Sequence, residues 1–188
     1  MRSLISLPLC CLVFSFTLHA HLLRPGEPVP PVNVMHQGEV LYEHNEFSHQ
    51  HWSSARLPGK VRLIQHIAAR TSAREMNAAL IETLREASLP RDYYQTTTIV
   101  DRGDAFFATG WFIRHQIEAS QRRYPWSQII DDAESVVRHA WQLKSKSSTI
   151  VVLNARGEVQ WVKEGPLTLE DVRQVVTLIQ RILREQQR

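Results

Sequence analysis

The chain has two cysteines, Cys10 and Cys11, and nine histidines. These are the side chains with which it could carry out sulfur or metal chemistry. A thiolate would serve as a nucleophile or a disulfide partner, but both thiols fall within the first twenty residues. Their use therefore depends on whether that segment stays attached. Among the histidines, His49 and His51 are separated by one residue, with His44 close by. Imidazoles at that spacing could chelate copper or zinc if their loop folded on itself. His21 could do the same with a free amine if the chain were cut after Ala20. No HExxH pair and no GxSxG elbow occurs. Ser53 and Ser54 thus have no nucleophile setting. Asp101, Asp104, Asp131 and Asp132 could line one edge of a sheet, and acid–base work would require their environments to separate their pKa values. Asp131 and Asp132 are read more simply as capping the helix after them. His66, flanked by apolar residues, reads as a hydrogen-bonded core histidine. Trp126, Trp141 and Trp161 read as core or rim packing; tryptophans exposed beside Arg70 would instead mark a groove.

Whether sulfur survives is decided by the leader. Arg2 gives a positive start, residues 4–18 are nearly all apolar and uncharged, and Ala20 offers a small residue at a cut. This three-part order is that of a secretory signal, and the run is shorter than the ~20 residues of a comfortable span. Neither Cys10 nor Cys11 follows the small residue that a lipidated cysteine requires. The expectation is cleavage after Ala20 by a Sec-type route, with residues 21–188 exported to the periplasm as a single domain without thiol or membrane anchor. A composition of 43% hydrophobic and 22% charged residues is that of a folded globule. The net charge of +3 comes from scattered Lys and Arg. Its one cluster, Arg181, Arg184 and Arg188, suits the negative end of a last helix. Nucleic acid is therefore not an expected partner.

The elements follow from periodicity. Residues 24–31 are Pro-rich and extended, residues 39–42 could form a short strand, and residues 44–54 read as a polar loop. Apolar residues at 61, 63, 64 and 67 make a mostly buried strand. Ser72 and Glu75 form a capping-box pair for a helix whose face is Met76, Ala79, Leu80, Leu84 and Ala87, ended by Leu89-Pro90. Residues 95–100 are a β-branched strand. A helix over 109–121 carries Phe112, Ile113 and Ile117. An extended piece over 124–131 and a helix over 134–142 follow. The segments 149–153 and 158–162 flank an Asn154–Gly157 turn as a hairpin. Thr168 and Asp171 open the last helix, whose stripe is Val172, Val175, Val176, Ile179, Ile182 and Leu183. The order β-α-β-α-(β)-α-β-β-α is the thioredoxin arrangement: a three-layer α/β/α sandwich with a mixed central sheet and a C-terminal helix.

Four segments make the likeness specific: residues 66–75 (HIAARTSARE), 96–100 (TTTIV), 124–128 (YPWSQ) and 140–143 (AWQL). They resemble the YtfJ family of bacterial periplasmic proteins, which has a thioredoxin-like fold and no established biochemical role. The likeness runs from His21 to the last helix. More distantly, residues 124–132 and 149–159 look like the C-terminal half of redoxin and peroxiredoxin domains.

The resemblance places Arg70 and Ala73 where active relatives have their two redox cysteines. It places Ser148 and Thr149 where those relatives have a cis-proline loop. A peroxiredoxin would need a thiolate near Thr71 and a guanidinium just before Thr149, where Ser147 and Ser148 stand. Thiol exchange and thiol peroxidation both need sulfur, so neither is expected of residues 21–188. What remains is a polar corner of Arg70, Thr71, Ser72, Ala73, Ser148 and Thr149 at a helix N-terminus, suited to an anion or a peptide carboxylate. The expected role is non-catalytic recognition of a polypeptide or another envelope protein, with no cofactor. The alternative is a periplasmic copper- or zinc-binding protein using His21 or the His44–His51 loop. Intact mass spectrometry of the protein released from the periplasm should give a chain beginning at His21 with no alkylatable thiol. A mass that retains Cys10 or Cys11 would overturn the export reading.

Overall fold

The computed structural model describes residues 21–103, 105 and 110–186. Cys10, Cys11, Asp104 and Arg188 lie outside them. The strands are β1 (Asn33–Glu43), β2 (Glu46–Ser53), β3 (Val61–Ala68), β4 (Tyr94–Asp101), β5 (Gln128–Asp132), β6 (Ser148–Leu153) and β7 (Val159–Glu164). They form one mixed sheet in the order β2-β1-β5-β4-β3-β6-β7. The neighbours β5, β4 and β3 run parallel, and the other pairings are antiparallel. The helices are α1 (Thr71–Glu75), α2 (Ala78–Glu86), α3 (Gly110–Arg123), α4 (Val136–Trp141) and α5 (Leu169–Gln186).

Interior parallel strands are covered on both faces, and β3 is buried along its whole length. Its residues alternate between two differently built layers. On one face, Ile64, Ile99 and Ile130 pack under α4 through Val137 and Trp141, and under the N-terminal segment through Leu23, Val29 and Val32. Trp141 there donates its indole N–H to the Pro30 carbonyl at 2.9 Å. On the other face, Val61 and Leu63 pack with α2 and α5. Val40, Val100 and Ile129 pack separately with Ile113 and Ile117 of α3.

Several expectations change. Residues 44–54 are not a loop: β1 and β2 form a hairpin whose two-residue turn, His44-Asn45, takes positive φ at both positions. The strand escaped notice because an edge strand needs few apolar residues, and only Trp52 is deeply buried. The expected helix over 72–87 is two helices. Ala73, Asn77, Leu80 and Leu84 face inward, whereas Ala79 and Ala87 are exposed and Met76 is only half-buried. Buried Asn77 sits at the break. It donates through Nδ2 to Ser148 Oγ at 3.0 Å and to the Gly165 carbonyl at 3.1 Å, and it accepts from the Leu167 amide at 3.0 Å. Phe112 is also exposed, while Ile113 and Ile117 are buried. The closing helix opens as read: Thr168 Oγ1 accepts from the Asp171 amide, and Asp171 Oδ2 accepts from the Thr168 amide and from Lys163.

The carboxyl ends of β4 and β5 are tied together by charge. Asp101, fully buried, accepts from Arg138 Nε at 2.8 Å, Ser135 Oγ at 2.5 Å and the Gly103 amide at 3.0 Å. His66 Nε2 lies 3.9 Å from the same carboxylate. A Cβ at Gly103 would stand 1.9 Å from Ser135 Oγ, so the turn requires glycine. Asp132 caps α4 through the Val136 and Val137 amides, as expected. Asp131 instead pairs with Arg102 at 2.6 Å on the α3 side. The two neighbours therefore do not act as one cap.

Burial pushes the Asp131 and Asp132 carboxyls above the usual aspartate range; Arg102 opposes this at Asp131, as do the α4 amides at Asp132. A carboxyl raised by folding binds its proton more tightly in the folded chain. Its contribution to stability is therefore greatest in acid and is lost as pH rises through the folded value. The urea-midpoint advantage of the native chain over Asp131→Asn should shrink between about pH 4 and about pH 7. An advantage that grew with pH would mean that the Arg102 pair outweighs desolvation. Asn77→Ala should lower stability by about 2 kcal/mol in the same assay, because it strands the buried Ser148 hydroxyl and the Gly165 carbonyl. A loss below half that value would show that those groups find other partners.

Candidate functional site

The carboxyl ends of β3 and β4 form the corner expected to matter. Ala69 donates to the Asp101 carbonyl, and Arg70 then leads into α1 with extended backbone. Thr71 and Ser72 are exposed, and no side chain caps α1, so the Ser72–Glu75 capping pair does not form. With five residues, α1 offers little of the dipole on which an anion site would rest. Ser148 and Thr149 are 0% and 1% exposed. The Ser148 hydroxyl is held by Asn77, and Thr149 sits opposite His66 in the β3–β6 ladder. Ala73 is buried as well. The six residues therefore do not form one polar surface: Arg70, Thr71 and Ser72 lie on a rim, and the other three pack beneath it.

That rim borders a crevice of about 890 Å³. One wall is α1–α2 with Ile81 and Leu84, the other is α3 with Ile113 and Ile117, and the floor is the β3–β4 surface. Its origin lies in the two separate apolar layers on this face. Between the α2–α5 layer and the α3 layer, the sheet presents Gln65, Thr96 and Thr98 rather than large apolar side chains. No helix among the described residues lies over this strip. At one end Tyr94 shares a hydrogen bond with Thr96 Oγ1 at 3.1 Å, and burial pushes its phenol up to about 12. The hydroxyl is therefore neutral at physiological pH and can donate.

The crevice border is rich in arginine. Arg74 Nη1 donates to Gln116 Oε1 at 2.7 Å, linking α1 to α3. The Arg85 guanidinium lies 4.3 Å from the centre of the Tyr124 ring, and that of Arg91 lies 3.9 Å from Trp126. Among the described residues, Arg70, Arg74, Arg85 and Arg91 line the space with a single carboxylate, Glu82, which pairs with Arg85. Such a border attracts anions, and guanidinium forks bind carboxylate or phosphate in two-point fashion. Trp126, 46% exposed, stands on this border, whereas Trp141 is core. Arg70 and Trp126 are legible in the sequence as residues of this corner; the other arginines are not, because their convergence depends on how α2 and α3 are set across the sheet.

The metal candidates are not brought together. His44 is in the β1–β2 turn, His49 and His51 are exposed along β2, and His21 precedes the segment beneath α4. Among the described residues no group of three His, Cys, Asp or Glu side chains is placed to hold a metal ion. The acidic residues do not form an open pair either, since Asp101, Asp131 and Asp132 are fully buried. No helix among the described residues is long and apolar enough to cross a membrane.

The chain is 48% identical over 178 residues to the uncharacterized protein YtfJ of Escherichia coli (strain K12), covering 95% of this chain and 97% of that one. Among solved structures, it is similar to the thioredoxin-like superfamily protein SPOA0173, with a TM-score of 0.58 at 15% identity, over 84% of this chain and 96% of that one. It is also similar to the thioredoxin domain of a thiol-disulfide oxidoreductase from Bacteroides vulgatus, with a TM-score of 0.54 at 14% identity, over 82% and 96%. At such identities these structures establish the fold alone, and that fold is thioredoxin-like. Residues 23–182 match the family described as "Bacterial protein of unknown function (YtfJ_HI0045)", and the chain belongs to this YtfJ family.

Proposed function

We propose that this chain is an exported, periplasmic binding protein that recognises a polypeptide or another envelope component without catalysis, with the α2–α3 crevice as its site. The observation that carries the reading is the crevice of about 890 Å³, bordered by Arg70 at the corner where thiol-active relatives have cysteine. Its size lies within the range of ligand sites, roughly 300–1,000 Å³. The leader pattern of residues 1–20 supports export, and the lack of cysteine in residues 21–188 supports recognition rather than electron exchange.

A photo-crosslinking residue placed at Gln116, inside the crevice, should capture an envelope component in living cells. The same residue at His139, exposed on α4 across the sheet, should not. Arg70→Glu should weaken the Gln116 capture while leaving the thermal midpoint within a few degrees of native. Equal capture from both positions, or capture indifferent to Arg70→Glu, would remove the crevice from the reading. A disulfide-reductase assay of the processed protein should stay at background, and sustained turnover would overturn the non-redox reading outright.

A further inference from the structure

We infer that the occupant of the crevice is a single-chain amphiphilic anion of the fatty-acid class, its hydrocarbon chain lying between the apolar walls of α2 and α3 and its carboxylate held by the arginine border. This deepens the proposed function, and it rests on the crevice being the binding site.

Three observations carry it. The first is charge. Arg74 has the neutral Gln116 amide as its hydrogen-bond partner, and Arg91 stacks on Trp126. Among the described residues neither has a carboxylate within ion-pair distance, and the one acid in the lining, Glu82, is engaged by Arg85. The border thus holds positive charge that no described residue neutralises, in a recess where the Coulomb attraction is less screened than in open water. The second is the interior. Ile67, Ile81, Leu84, Val100, Ile113 and Ile117 present hydrocarbon from floor and walls, so an alkyl chain gains by leaving water there.

The third is the state of the floor's backbone. β3 is paired on both sides, by β4 and β6, and β4 by β3 and β5. The floor therefore offers no open strand edge to which a polypeptide could add its own amides. A peptide laid in the recess would bring one N–H and one C=O per residue, to be met by a handful of side chains such as Gln65, Thr96 and Thr98. A methylene chain makes no such demand. The geometry therefore favours a ligand whose polar atoms are confined to one end.

The test uses purified processed protein and probes below their micelle concentrations. Isothermal titration should show laurate binding. Dodecyltrimethylammonium, with the same chain and the opposite charge, should bind more weakly on the order of tenfold or beyond. Arg74→Glu, on the exposed face of α1, should weaken laurate by a similar factor while keeping the native circular dichroism and thermal midpoint. Ile117→Trp should block laurate by filling the space between the walls; if that variant does not fold, the Arg74→Glu arm still decides. Equal affinity for the cationic amphiphile, binding of dodecyl phosphate but not laurate, or indifference to Arg74→Glu would each overturn the inference. No laurate binding together with Arg70-dependent capture of a protein at Gln116 would sink the fatty-acid ligand and leave the crevice as a protein-binding site. No laurate binding and no capture would sink both.

Discussion

A single buried carboxylate, that of Asp101, holds the business end of this fold together. It ends β4 and gathers the Gly103 amide, the Ser135 hydroxyl and the Arg138 guanidinium, with His66 of β3 at 3.9 Å. These partners come from three stretches of chain, the turn after β4, α4 with its N-cap, and β3, so one anion fixes where three segments meet. An isolated carboxylate at such depth would be very costly, and it is tolerated because its lone pairs are met by donors, one of them charged. Losing Arg138 would leave that charge buried without its ionic partner, a change that typically costs about 3–5 kcal/mol. The corner beside Arg70 inherits its geometry from this junction through the Ala69–Asp101 backbone bond.

The crevice follows from the layering. Two helices, α2 and α5, share one apolar layer, and α3 keeps its own. A sheet face with an uncovered strip would ordinarily be a liability. Here the strip carries threonine and glutamine on its floor and arginine–aromatic stacks at its margin, which makes it compatible with water when empty. At the neighbouring corner the chain carries Arg70 and, buried beneath it, Ala73.

Legibility varied with the kind of signal. Strands β3, β4, β6 and β7 and helix α5 were readable, because period-2 and period-3.6 patterns and the Thr168–Asp171 cap are local. β2 was not readable, since an edge strand bearing Glu46, Ser48, His49 and His51 has little apolar pattern to show; its best signal was Asn45, a residue that tolerates left-handed backbone. The break at Asn77 was hidden because asparagine earns its place through contacts with Ser148, Gly165 and Leu167, more than seventy positions away. The burial of Ser148 and Thr149 was missed for the same reason: hydroxyls look like surface until the partner that satisfies them is known. The crevice itself could not be read, because a gap between two helices is not written in either one.

The three bonds of Asn77 have a mechanical meaning. They bolt the first turn of α2 to β6 and to the approach of α5, so that side of the crevice cannot swing outward without dragging the β6–β7 hairpin or breaking a buried amide. The facing side, α3, is fastened differently: buried Gln121 near its C-terminal end donates to the Ser127 carbonyl, Arg122 lies over Tyr42 and Phe47 of the β1–β2 hairpin, and the Arg74–Gln116 bond reaches it from α1. On the proposed reading the recess is a vice whose α2 jaw is bolted by Asn77 and whose α3 jaw is held near its C-terminal end, so guests of different girth would be accommodated from the α3 side.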